Sequence, residues 1–140
     1  MYDQPIVQRL DRADCLRLLG GAQFGRIVYT VKALPAVQPV NFVVRDDSVI
    51  IRTQSESKLA TAVSNRVVAF QVDDIDSETQ SGWSVSVVGH CYEVETSAEV
   101  EELRRSGPQA WGNPRGERFI GIRIEQITGR WLHSPALPSR

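Results

Sequence analysis

From Phe24 onward the chain is written in short apolar runs separated by tight polar turns, a pattern that leaves room for little but an antiparallel β fold. Phe24 to Val31 reads as one strand and Ala36 to Arg45 as a second, with Pro39 implying an edge position or a bulge. Asp46-Asp47-Ser48 is a tight turn, so Val49 to Thr53 is expected to pair back as a hairpin. Val67 to Val72 is almost continuously apolar and predicts a strand buried on both faces. Asp73 to Gly82 reads as a polar loop, and Trp83 to Glu95 alternates apolar and polar residues as a half-buried strand does. Phe119 to Ile127 alternates in the same way and predicts a final strand.

Three short helices interrupt this pattern. Arg12 to Leu19 follows a capping Asp11 and stops at Gly20-Gly21. Ser57 to Asn65 has Ser57 as its cap, and Ala98 to Arg105 has Thr96 or Ser97. About six strands and three helices, joined largely by hairpins, predict a mainly β fold: an antiparallel six-stranded barrel, closed or nearly so. No internal repeat breaks the chain, so residues 1–140 read as one domain with a core over about 10–132 and a loose tail over 134–140.

Charge and composition narrow the function classes. A formal net charge of −1 argues against a general nucleic-acid or membrane-surface binder. No apolar run reaches the roughly 20 residues of a membrane helix, and no signal peptide is visible at the N-terminus, so a cytoplasmic protein is expected. Cys15 and Cys91 lie far apart in apolar contexts and read as buried free thiols. The acidic run Asp73, Asp74, Asp76, Glu78 does not follow the order of a calcium loop and reads as a solvated loop. His90 and His133 have no serine, cysteine or metal partner at recognisable spacing and read as structural or surface residues.

The stretch Ile50-Ile51-Arg52-Thr53-Gln54-Ser55-Glu56-Ser57-Lys58 carries the most chemistry. An apolar strand runs into a polar turn and then a helix start, with hydroxyls, an arginine and one of the chain's two lysines. A dianionic phosphate wants such donors, and the helix N-terminus adds its dipole. Each residue also has an ordinary reading: Arg52 extending along a sheet end, Ser57 as a cap, Lys58 as a solvated first-turn residue.

In order, Phe24-Gly25-Arg26-Ile27, Pro39-Val40-Asn41-Phe42, Ile51-Arg52-Thr53, Ser57-Lys58-Leu59, Asn65-Arg66-Val67-Val68-Ala69-Phe70, Ser81-Gly82-Trp83-Ser84-Val85 and Gly89 resemble the flavin-binding split barrels of the pyridoxamine 5'-phosphate oxidase-like family. The resemblance spans roughly residues 10–132 and implies a six-stranded split barrel, a homodimer and flavin mononucleotide (FMN) sites at the subunit interface. By the family's pattern Arg52, Thr53, Ser57 and Lys58 would bind the phosphate, and Val40, Asn41 and Phe42 would pass along the isoalloxazine ring, partly through main-chain groups. Gln80 and Trp83 would approach from the other subunit; the ordinary alternative for Trp83 is a cover over the barrel mouth. Trp111 is a packing residue or a lining of a substrate entrance.

A small flavin-dependent oxidoreductase of unspecified substrate is the expectation that follows. The flavin would carry the redox chemistry, so no catalytic side chain is singled out. A non-catalytic flavin carrier or sensor is the alternative from another class, and a deazaflavin cofactor in place of FMN is a third. Oxidation of pyridoxamine phosphate itself is less expected, because Thr128-Gly129-Arg130-Trp131-Leu132-His133 lacks the full basic motif that a second phosphate site requires. A heme-binding variant would have to use His90.

Overall fold

A computed structural model describes residues 6–54, 58–109 and 117–133. Its strands are β1 (Ile6–Leu10), β2 (Phe24–Val31), β3 (Leu34–Arg45), β4 (Ser48–Gln54), β5 (Val67–Asp76), β6 (Ser81–Glu93), β7 (Glu117–Arg123) and β8 (Gln126–His133). The helices are α1 (Arg12–Gly20), α2 (Lys58–Val63) and α3 (Ser97–Ser106). The sheet runs β1-β8-β6-β5-β2-β3-β4-β7, and β7 also pairs with β6. That last pairing closes β6-β5-β2-β3-β4-β7 into a ring of antiparallel strands, the expected six-stranded barrel. The long β6 serves two neighbours: Gly82 to Val88 pair with β8, while Cys91 to Glu93 pair with β7. The barrel is split at this change of partner.

Two strands lie outside the expected set. β1 is almost wholly exposed along its length, so it carries no alternating burial and little sequence signal. The expected strand from Phe119 to Ile127 is two strands, with a turn at Ile124-Glu125. Ile124 N–H donates to Asp47 O at 2.8 Å and Glu125 N–H to Arg123 O at 3.0 Å, which turns the chain out of the barrel. Alternation of apolar and polar residues continues through that turn, which hid it.

The elements form where local chemistry favours them. The Asp11 carboxylate accepts from Asp14 N–H at 2.8 Å and caps α1, and Gly21 N–H closes its end on Arg17 O. Thr96 holds the cap position of α3 without a side-chain cap bond. Pro39 sits in the half of β3 that pairs only with β2, the edge position that a missing N–H tolerates. The hairpin after Arg45 pairs Arg45 with Ser48, with Asp46 at φ 53°. The acidic run is strand rather than loop as far as Asp76, paired through Asp76 with Ser81; Asp76 then caps the turn, accepting from Glu78 N–H at 2.8 Å.

The core fills the barrel with Ile27, Phe70, Val85, Val87, Ile51 and Ile122, and Leu19 and Val63 from α1 and α2 join the same cluster. Cys15 and Cys91 are buried and free within it. A second cluster, Ile50, Val94, Leu103 and Phe119, lies outside the barrel beneath α3. β5 corrects one expectation: Val68, Phe70 and Val72 are buried, whereas Val67 is 55% exposed and Ala69 and Gln71 are half-buried. A single chain covers one face of this strand only. Among the described residues, no helix is long and apolar enough to cross a membrane.

Candidate flavin site

β3 and β4 pair antiparallel with Phe42 opposite Ile51, which puts Asn41 beside Arg52 at one end of the barrel. Strand alternation then divides the expected site residues between two faces. Val40 and Phe42 belong to the barrel core, so only their main-chain groups are available to a ligand. Thr53 is 8% exposed and shares the inward parity of Ile51. Asn41 and Arg52 take the outer face, where the chain leaving α3 crosses them.

Asn41 Nδ2 donates to Gln109 O at 2.9 Å, and Arg52 Nη1 donates to Pro108 O at 3.2 Å. Both expected flavin residues therefore grip the same short segment, Gly107–Gln109. A cleft of about 180 Å³ lies beside it, lined by Phe24, Asn41, Phe42, Val43 and Pro108 among others.

Arg52 is held on further sides. Its Nη2 donates to Glu117 at the start of β7, and its guanidinium lies 5.3 Å from the centroid of the Phe119 ring. The Arg52 and Glu117 side chains are 11% and 6% exposed. Arg104 of α3 donates from Nε to the other Glu117 oxygen at 2.8 Å, and also pairs with Glu101. Burial on its own would push the Glu117 carboxyl up, but hydrogen bonds from Arg52 and Arg104 outweigh it and hold the group below the usual carboxylate range. Arg52 Nε is buried and has no hydrogen-bond partner among the described residues.

The remaining expected residues are dispersed. Lys58 opens α2, and its side chain lies outside the described residues, as does Ser57. Gln80 is exposed in the β5–β6 turn at φ 52°. Trp83 is half-buried, lies opposite Trp131 and packs against the barrel core. Within one chain β5 and β2 separate Trp83 from Asn41, so these two groups do not meet. Trp111 lies outside the described residues.

Other chemistry is sparse. His90 Nδ1 lies 2.6 Å and 2.9 Å from the two Glu125 oxygens, on a side chain 56% exposed. Burial pushes the Cys91 thiol up to about 12, and burial with Asp11 and Asp14 nearby raises Cys15, so neither is a ready nucleophile. No group of three or more His, Cys, Asp or Glu that could hold a metal occurs among the described residues. Sequence reasoning missed Glu117 and the Gly107–Gln109 segment, because only the pairing of β4 with β7 and the path out of α3 carry them to Arg52.

Residues 11–131 match the family described as pyridoxamine 5'-phosphate oxidase. The chain belongs to the pyridoxamine 5'-phosphate oxidase-like family. An uncharacterized protein from Mycobacterium tuberculosis, Rv0080, is 38% identical over 88% of this chain and 84% of its own length. The FAD binding protein from Mycobacterium smegmatis, of known structure, is 35% identical, with a TM-score of 0.75 over 89% of this chain and 98% of that one. An FAD-binding protein from Mesorhizobium loti shares the fold, with a TM-score of 0.76 over 92% of this chain and 98% of that one, at 21% identity. The split barrel is thus the fold of the pyridoxamine 5'-phosphate oxidase-like family.

Proposed function

We propose that this chain is an FMN-binding homodimer that works as a small flavin-dependent oxidoreductase. The observation that carries the reading is the outer-face pair of Asn41 and Arg52 at the end of β4, in a chain that matches the pyridoxamine 5'-phosphate oxidase family over residues 11–131. Arg52, Thr53, Ser57 and Lys58 would hold the phosphate, and the main chain of Val40 and Phe42 with the Asn41 amide would meet the ring edge. When bound, the flavin supplies hydride or electron transfer. The 35% identical Mycobacterium smegmatis protein is an FAD binding protein, which supports a flavin and leaves FAD as the competing ligand in any titration.

Two features favour a site shared between subunits. The 180 Å³ cleft is smaller than the roughly 300–1,000 Å³ of typical cofactor pockets, so it would need a further wall. The outer sheet face beside it is open and mixed in character: register puts Phe24, Val28, Val37, Ala69, Val67 and Ile75 on that side around an Arg26–Gln71–Asp73 cluster, with Phe24, Val37, Val67 and Ile75 each more than half exposed. In the family's pattern the second copy would supply its Gln80 and Trp83 to the flavin.

Purified protein should show flavin absorption or acquire it on titration with FMN. Titration with FAD and with a deazaflavin cofactor ranks the rivals. Reduction by a nicotinamide donor, followed by turnover of an acceptor, separates an enzyme from a carrier. A colourless preparation that takes up none of these ligands by calorimetry would sink the reading.

A further inference from the structure

A second open space lies beside α3 and shares no lining residue with the cleft at Asn41. It is a groove of about 810 Å³, within the roughly 300–1,000 Å³ of small-molecule sites. Its floor is the outer face of the barrel. Register puts Arg45, Ser48 and Arg123 in one row across that face, and Val43, Ile50, Gly121 and Tyr92 in the next. Ile50, Val94 and Leu103 make the apolar part of the floor. A Cβ on Gly121 would run into the Tyr92 ring, so the missing side chain lets that ring rest on the sheet. The groove's two arginines are already committed. Arg45 donates to Glu102 at 3.0 Å and to Ser106 Oγ at 2.6 Å, and the Arg123 guanidinium lies 4.7 Å from the Tyr92 ring centroid. What is left open is a set of acceptors. Ser48 is only 7% exposed, lines the groove and has no side-chain partner among the described residues; it shares the outward parity of Ile50. The carboxylates of Asp46 and Asp47 on the hairpin, and of Glu99 in the first turn of α3, form no ion pair among the described residues.

We propose that this groove binds an aliphatic amine with more than one cationic centre, a ligand of the polyamine class. Arg45 and Glu102 neutralise each other, which leaves Asp46, Asp47 and Glu99 against Arg123 alone, so the field favours a cation. The carboxylates stand on two elements, and among the described residues no three of them gather closely enough to hold a metal ion. An extended cation with separated charges matches that spread. Its N–H groups donate to Ser48 Oγ and to carboxylates of the hairpin and of α3, while its methylenes cover Ile50 and Leu103. Ser48 Oγ then gains the partner it lacks within the chain.

The test is a calorimetric titration of the full chain with spermidine at fixed ionic strength, which should give saturable binding. Asp47→Asn and Glu99→Gln keep the side-chain size and remove one charge. Each should weaken spermidine about tenfold, the scale of one charge-assisted hydrogen bond. Ser48→Ala changes no charge and should weaken it about three- to tenfold. Glu78→Gln removes the same charge from the exposed β5–β6 turn and should leave affinity within about twofold of wild type. Thermal unfolding of each variant checks that folded protein is being titrated, and the exposed Glu99 carries the test if the buried Ser48 variant does not fold. No saturable binding up to about 1 mM spermidine would overturn the proposal. A loss in Glu78→Gln equal to that in Glu99→Gln would mean diffuse attraction to an acidic surface and overturn it too. So would unchanged affinity in Ser48→Ala and Glu99→Gln, or full displacement of spermidine by magnesium at the same ionic strength.

Discussion

Gly25 lies beneath the Phe70 ring, and a Cβ there would run into several ring carbons. Phe70 is fully buried and packs edge-on against Phe42 with ring centroids 4.8 Å apart, so it has nowhere to go. Gly25→Ala should destabilise the fold by about 1–3 kcal/mol, as overpacked cores do, read as a lower urea midpoint. Glu117 makes a prediction with pH. Its folded-state pKa lies below the ordinary carboxylate value, so the stability it contributes is present above that value and is lost as pH falls through the lowered one. Between pH 7 and strongly acid conditions, wild type should therefore lose unfolding free energy faster than Glu117→Gln. Parallel pH curves for the two would contradict the ion-pair account. At the phosphate end, Arg52→Ala with Lys58→Ala should weaken FMN affinity roughly ten- to hundredfold for each charge-assisted hydrogen bond removed. An unchanged dissociation constant in the double variant would strike both residues from the site.

Among the elements, the β2–β3 hairpin carries the clearest backbone cost. It pairs Val31 with Leu34 across Lys32 and Ala33, at φ 51° and 65°. Both signs are positive, as two-residue hairpins require, yet neither residue is the Asn or Gly that takes such angles cheaply. Ala33→Gly should relieve the Cβ strain and give back part of the gain as unfolded-chain entropy, a net stabilisation of about 0.5–1 kcal/mol. A lower melting temperature in this variant would show that the turn is not in this conformation. Strands over Phe24 to Val31 and Ala36 to Arg45 were legible, while β3 begins earlier, at Leu34, because the Lys32-Ala33 turn carries no Gly or Asn to mark it. The short exposed β1 was not, since an edge strand with no buried side carries no period.

For the whole molecule, β5 is the informative element. Val67 to Val72 reads as a segment wanting cover on both faces, and one chain covers only the barrel side. The uncovered side continues across Val28 and Val37 to the cleft at Asn41. A homodimer through this face would satisfy the sequence pattern and complete the cleft together. Val37→Lys places a charge on the β3 edge of this face, on a residue 61% exposed in the single chain, where it costs the fold little. Sedimentation should show wild type at twice the 15.6 kDa chain mass and the variant shifted to monomer, with weaker FMN binding. A variant that stays dimeric, with native circular dichroism, would move the interface elsewhere.

The six barrel strands along the chain, the β3–β4 hairpin and the two buried thiols follow from the sequence alone, because each rests on neighbours within a few positions or on strand period. Closure of the ring through β6 and β7, the change of partner along β6 and the split of the last strand depend on contacts between distant segments. So does the surrounding of Arg52. Pro108 and Glu117 lie 56 and 65 positions away in sequence, and no local pattern marks them. Local chemistry could nominate Arg52 as a cation near an anion, whereas only the tertiary structure decides that its donors meet Pro108 O and Glu117.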